Sequence, residues 1–432
     1  MSANRRRLLA GCVALLAVGS AVGQTHGVVP RYTLPPPLLA RAQAYTVRHT
    51  TLQVCFMVWQ LLQLWGLLAL GVAARLRSVV QRVGRGQSLQ ACLYTSLLVV
   101  LLAVLNLPVQ ACGHRLAVEY GLSVQGWPSW LQDHARSTAV MAVVGSVLVL
   151  VVQALLQRMP RRWWLGFWGF AVVLMVLGVF AAPLVIDPLF NRFEPLASSS
   201  PALVQQLQQL AAHAGVTIPA DHMVLMRASA KYTEQNAYVT GFGASRRVVV
   251  WDTAVQHSSP DELLFVLGHE LGHDVLHHIL RGMAFAAVLM LELLWLAHRM
   301  WRWLLRRYGP RWQLRGPRDL AALPALYLVV LLLQFVTLPV TNAFSRELEH
   351  ESDVYGQEAI HGLVADPQAI ASRSFAEMGA ESLEEPDPGA LLVWWSFDHP
   401  AVRDRVAFAA RYNPWSGPVQ PRYFKRPPIG LE

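Results

Sequence analysis

Residues 263–278 read LLFVLGHELGHDVLHH, and the five at the centre, His269-Glu270-Leu271-Gly272-His273, decide how the rest of the chain is understood. Ser259, Pro260 and Asp261 stand ahead of the run as a helix start: an N-cap hydroxyl, a proline in the first turn and an acid near the positive helix end. Histidines four apart on a helix share one face, so both imidazoles reach one ion while the neighbouring Glu270 projects beside it. This is the zincin arrangement. Zinc lowers the pKa of its bound water towards neutrality, and an adjacent carboxylate takes the proton as the water attacks a peptide carbonyl. The competing reading is a chance match on a His-rich helix, on the order of one per cent for three specified residues in a chain this long.

A catalytic zinc needs a third protein ligand. The metzincin pattern would place Gly at 276 and His at 279, but those positions hold Leu276 and Ile279, which excludes that subclass. A carboxylate from a later helix remains, and residues 342–353, NAFSRELEHESD, offer one. Glu349 and Asp353 are four apart on one helical face, so Glu349 can bind the metal while Asp353 orients a ligand histidine. From spacing alone Glu347, His350 and Glu351 compete for the same role.

The remainder of the chain indicates where this chemistry sits. Of 432 residues, 54% are hydrophobic and only 15% charged, more apolar than ordinary soluble domains. Apolar runs at about 54–74, 91–112, 138–156, 163–185, 282–300 and 321–340 each approach the roughly 20 residues of a spanning helix. A further run, Leu8 to Val22, follows Arg5, Arg6 and Arg7 and ends in small residues. Residues 1–23 therefore read either as a signal peptide or as a first span. Leu9 to Cys12 mimics a lipid-attachment box but sits too early in the run. The expected domains are four spans within 24–186, then a zinc metallopeptidase domain at 187–432 that includes the last two spans. The fold class is mainly α, a polytopic bundle of six or seven spans.

Two stretches, roughly 187–281 and 341 onward, are polar enough to fold outside the bilayer and together form the working domain. In the first, Ser200 and Pro201 open a helix through Leu203, Leu207, Leu210 and Ala211, closed by Gly215. Strands at 236–240 and 247–252, separated by a Gly-rich turn, read as a β-hairpin. Cys12, Cys55, Cys92 and Cys112 have no pairing or ligand spacing and read as inert core thiols. The Pro-rich basic tail after Asn413 reads as a loosely ordered end. The net charge of +9 comes from arginines in short loops, which set membrane orientation, and the chain carries no nucleic-acid module.

HELGH, NAFSRELEHESD and Asp398-His399-Pro400 followed by Arg405 together resemble the type I CAAX prenyl protease family, multi-spanning enzymes related to the a-factor-converting protease. Residues 187–196 (DPLFNRFEPL), 236–242 (NAYVTGF) and 247–253 (RVVVWDT) are similar to family segments too. The resemblance implies one zinc per chain, with Glu349 as its third ligand. It implies that His399 steadies the oxyanion, that Arg405 supports the site, and that Asn236, Ala237 and Tyr238 bind the extended substrate peptide. Pairing a substrate strand to an exposed edge reads backbone rather than side chains, which agrees with that role. His277 and His278 read as interfacial or supporting residues rather than ligands. Glu292, inside an apolar span, lines the intramembrane chamber the family implies or is structurally paired.

Charge bias orients the chain. Alternating through six spans gathers Arg75, Arg77, Arg82 and Arg85, then Arg158, Arg161 and Arg162, then Arg302, Arg306, Arg307, Arg311, Arg315 and Arg318 on one side. By the positive-inside rule that side is cytoplasmic. The catalytic stretch then faces outward, towards the periplasm if the membrane is a bacterial inner membrane, as the N-terminus suggests. The expected partners are a peptide or protein substrate, membrane or exported rather than prenylated, and the bilayer. The rival readings are a non-proteolytic scaffold tied by zinc and a transporter; an intact Glu270 argues against a purely structural site.

Overall fold

The computed structural model describes residues 30–241, 246–416 and 420–425. Prolines at the first turn start α1 (Pro36–Ala69). Gly71, at φ 69°, turns the chain into α2 (Val72–Val83), because a left-handed residue costs glycine nothing. There follow α3 (Gln87–Glu119), α4 (Trp127–Arg158) and α5 (Trp163–Ala181), the last prolonged by a π-helical turn (Ala182–Ile186) and a short turn (Asp187–Phe190). The polar part carries β1 (Phe193–Pro195), α6 (Pro201–His213), β2 (Met223–Met226), β3 (Ala237–Thr240), β4 (Arg247–Trp251), α7 (Asp252–His257) and α8 (Pro260–Val275). Then come α9 (His278–Tyr308), α10 (Leu323–Ala359), α11 (Pro367–Glu381), α12 (Ala390–Ser396) and α13 (Val402–Arg411).

Six helical segments of the described residues are long and apolar enough to cross a membrane: Pro36–Ala69, Gln87–Glu119, Trp127–Arg158, Trp163–Phe190, His278–Tyr308 and Leu320–Ala359. They correspond to the six expected runs, but most are longer, and α1 ends before residue 74. Hydropathy marks only the lipid-facing part of a helix, whereas its hydrogen bonds continue into water or protein. The largest consequence concerns α10. The stretch from 341, expected outside the bilayer, does not start a separate element but continues the helix of the sixth apolar run to Ala359. The run Leu8–Val22 lies outside the described residues.

The close packing of these helices runs between neighbours, α1 on α3, α3 on α4, α4 on α5, α5 on α9, α9 on α10 and α10 back on α1, which closes a ring. Glu292 on α9 is exposed and forms no hydrogen bond or ion pair among the described residues, so it is not the paired carboxylate of one reading. Cys55 and Cys112 are exposed free thiols rather than core residues; Cys12 is not among the described residues.

The Arg-rich connections meet at one end of the ring. Arg77 is ion-paired to Asp319, both buried, and donates to the Gln313 carbonyl at 3.2 Å. Arg318 reaches the Leu156 carbonyl at 3.3 Å. Beneath them Leu68, Leu156, Trp163, Trp301 and Trp312 form a small core. At the other end the polar part builds its own core, to which α1 contributes Ala42 and α10 Tyr355 and Ala359.

The expected hairpin is present, with Ala237 opposite Val250 and Thr240 opposite Arg247, but it is half of a four-stranded sheet of order β1-β2-β4-β3. β2 and β4 pair in parallel. Val248 and Val250 face α6 and α8, where they bury against Leu210, Leu263 and Leu267. Val249 points to the opposite side, with Met226 and Ala228, as the period-2 pleat requires. β3 is left at the edge. The tail is not loose where it is described: Glu358, fully buried, accepts from the backbone amides of Arg422, Tyr423 and Phe424.

Candidate metal centre

Two helices build the centre. α8 begins with a capping box in which Ser259 and Glu262 satisfy each other's end groups, so the histidine face is set from a firmly anchored first turn. α10 crosses α8 at Gly268, Gly272 and Gly356, where the missing side chains let the backbones approach; a Cβ on Gly268 would lie 3.2 Å from the Gly356 carbonyl oxygen. This crossing brings Glu349 over the two histidines.

His269 Nε2 and His273 Nε2 lie 3.1 Å apart. Glu349 Oε2 is 3.2 Å from the first, and Glu349 Oε1 is 3.4 Å from the second. These three residues are the one group among the described residues whose ligand atoms converge closely enough to hold an ion. Ligands at zinc distances of about 2.0–2.1 Å around a tetrahedral centre stand about 3.3 Å apart, so the donor set fits zinc. Glu349 Oε2 is buried without a hydrogen bond, and a buried acceptor of that kind suits a metal ligand. Burial lowers the pKa of His269, yet the Asp353 and Glu349 carboxylates outweigh it and raise the imidazole to about 10. The site favours positive charge.

The surrounding residues hold this geometry. His269 Nδ1 lies 2.9 Å from Asp353 Oδ1, the carboxylate being only 1% exposed. Arg405 grips Asp353 with two bonds of 2.5 and 3.0 Å and lies over the Phe375 ring at 4.1 Å. Behind His273, His278 Nδ1 stands 3.1 Å from His273 Nδ1, and His278 Nε2 is 3.0 Å from Glu351 Oε2. Glu351 therefore faces away from the three converging atoms, and Glu347 is exposed.

A cavity of about 400 Å³ opens beside these atoms, lined among others by Glu270, His399, Val239 and Gly241. Burial pushes the Glu270 carboxyl up, with His269 and His273 opposing and the Val239 amide bonded to it. His399 stands on the rim, its Nε2 3.3 Å from Glu349 Oε2 and its Nδ1 2.8 Å from Asp398. Partial burial lowers its pKa, but Asp398 and Glu349 raise it further, so the imidazole is held towards its protonated form. The strand meets the cavity at Val239 and Gly241, whereas Asn236 and Ala237 border a smaller cavity with Gln235 and Glu262. Sequence reasoning passed over Asp274, which lines the site cavity and pairs with Arg246 at 2.6 Å; nothing in its spacing marks it.

Residues 197–413 match Peptidase family M48, and residues 30–192 match the CAAX prenyl protease N-terminal region, described as five membrane helices. The chain belongs to peptidase family M48. It is 31% identical over 345 residues to the "Uncharacterized metalloprotease YhfN" of Bacillus subtilis (strain 168), covering 80% of this chain and 79% of that protein. It is 25% identical to a "CAAX prenyl protease 1 homolog" of Oryza sativa subsp. japonica, covering 68% and 66%. The crystal structure of S. mikatae Ste24p shares the fold, with a TM-score of 0.76 over 88% of this chain and 90% of that one at 20% identity. This M48 member is thus an integral, multi-pass membrane metalloprotease, similar to the CAAX prenyl proteases.

Proposed function

We propose that this protease is a zinc-dependent endopeptidase that processes or degrades membrane or exported proteins. The observation that carries the reading is the convergence of His269, His273 and Glu349 on one point beside the carboxyl of Glu270. Zinc held there would polarise the scissile carbonyl and lower the pKa of the attacking water. Glu270 takes the water's proton and passes it to the leaving amine, and burial tunes its basicity towards that task. His399, on the rim with Nδ1 against Asp398, donates from Nε2 to the developing oxyanion. Asp353 and Arg405 hold His269 in the tautomer that presents Nε2.

Substrate is bound along the free edge of β3, whose partner β4 occupies only the other side. A strand advances about 3.3 Å per residue, so Tyr238, Ala237 and Asn236, in that order, engage substrate residues at increasing distance from the bond cut near Val239. The Arg-rich end of the ring is cytoplasmic by the positive-inside rule. α9, 31 residues long, is about 46 Å, enough to carry the site from that end across a hydrocarbon core of about 30 Å to the outer face.

Detergent-purified protein incubated with a mixed peptide library, with added prenylated CAAX peptides, tests the reading. Cleavage of unprenylated peptides that a chelator abolishes and stoichiometric zinc restores is the expected result. Restoration by another divalent metal but not by zinc would overturn the metal assignment, and cleavage confined to the prenylated peptides would overturn the substrate class.

A further inference from the structure

Each histidine at the centre has an outer nitrogen, and only one of the two is held by a carboxylate. His269 uses Asp353. His273 instead faces a second imidazole, and the chain continues from there: His273 Nδ1 to His278 Nδ1 at 3.1 Å, then His278 Nε2 to Glu351 Oε2 at 3.0 Å. Glu351 is anchored by Arg281 and by Arg422, 3.2 Å away. His278 is 3% exposed, so these contacts are not exchanged for water.

The backbone is bent to make this contact. Five residues along an unbroken helix lie about 140° round the axis, which would turn residue 278 away from His273. α8 instead ends at Val275, and His277 takes φ 57° before α9 begins. A left-handed non-glycine residue is disfavoured, and here it folds His278 back onto His273.

We propose that His278 and Glu351 are positioning residues that fix the tautomer and orientation of His273, an inference resting on the reading of His273 as a zinc ligand. With Nε2 turned to the metal, His273 carries its proton on Nδ1 and donates it to His278 Nδ1. His278 then carries its own proton on Nε2 and donates to the Glu351 carboxylate, which pairs with the two arginines. The two ligand histidines thus have unlike supports, one a direct carboxylate and the other a carboxylate relayed through an imidazole.

The test compares zinc affinity, by competition with a chromophoric chelator, and the d–d absorption of the cobalt(II)-substituted full-length protein. His278→Phe keeps a ring in the space but removes both hydrogen bonds. It is expected to weaken zinc binding by roughly 10- to 100-fold and to shift the cobalt band. His278→Asn, whose amide oxygen accepts where Nδ1 did, is expected to recover most of both. Should His278→Phe not fold, Glu351→Ala carries the test, with weakened zinc binding again expected. A His278→Phe or Glu351→Ala protein that matches wild type in both readouts would overturn the proposal, as would His278→Asn behaving like His278→Phe. Wild type binding one zinc beside unaffected variants defeats only the relay; wild type binding no zinc defeats the metal reading and the relay together.

Discussion

Gly356 on α10 presses against the backbone of His269 on α8: a methyl group on Gly356 would stand 2.7 Å from the His269 amide nitrogen and 3.0 Å from its Cα. Both atoms are backbone, so neither yields without moving a helix. Gly356→Ala is therefore expected to push α10 off α8, costing about 1–3 kcal/mol and displacing Glu349 from the two histidines. Thermal unfolding in detergent and zinc retained after dialysis should both fall. Wild-type values of both would show that the close crossing does not position the metal centre.

Glu349 and Glu347 are separated by one residue and by opposite surroundings. The first is buried against both histidines; the second is exposed. Glu349→Ala is expected to lose most of the bound zinc, and Glu347→Ala to retain it, measured as metal per chain by elemental analysis. Equal metal content in the two variants would remove Glu349 from the ligand set.

Arg405 holds a carboxylate that has no access to water, since Asp353 is 1% exposed. Removing one member of such a pair leaves a buried charge uncompensated, typically a loss of about 3–5 kcal/mol. Arg405→Ala is expected to destabilise the protein on that scale and to weaken zinc binding through His269. Arg405→Lys should recover only part, because an ammonium cannot reproduce the two-pronged grip or the stack on Phe375. A fully functional lysine variant would show that charge alone suffices.

Much of this was legible in the sequence because the motif, its cap and the carboxylate face at 349 and 353 all follow helical periodicity, a local property. The choice between Glu349 and Glu351 was not. Two residues apart on a helix, they point to different sides, and which side meets His269 and His273 depends on how α10 crosses α8. His278 was legible as a supporting residue rather than a ligand, but not which residue it supports: its contact with His273 exists only because His277 breaks the helix in a left-handed turn. β1 and β2, three and four residues long, are too short to show a period, so the sheet was read as its hairpin alone. Helix ends were not legible wherever a helix outran its apolar run, most of all in α10, because hydropathy marks the lipid-facing part and not the hydrogen bonds beyond it.

The three Arg-rich connections pack together at the end of the ring away from the centre. If that end is cytoplasmic, alkaline phosphatase fused at the C-terminus is expected to be active in bacterial cells, and the same reporter inserted within 309–318 inactive. The reverse pattern would turn the molecule over and place its substrates in the cytoplasm.

The most direct test of the account is Glu270→Gln, scored for zinc content and peptide hydrolysis on the same preparation. The converging atoms belong to His269, His273 and Glu349, whereas the role proposed for Glu270 is proton transfer, a contribution of typically 10²–10⁴-fold. The variant is expected to hold one zinc per chain and to lose peptidase activity by at least roughly that factor. Undiminished hydrolysis by a zinc-loaded Glu270→Gln protein would contradict the account.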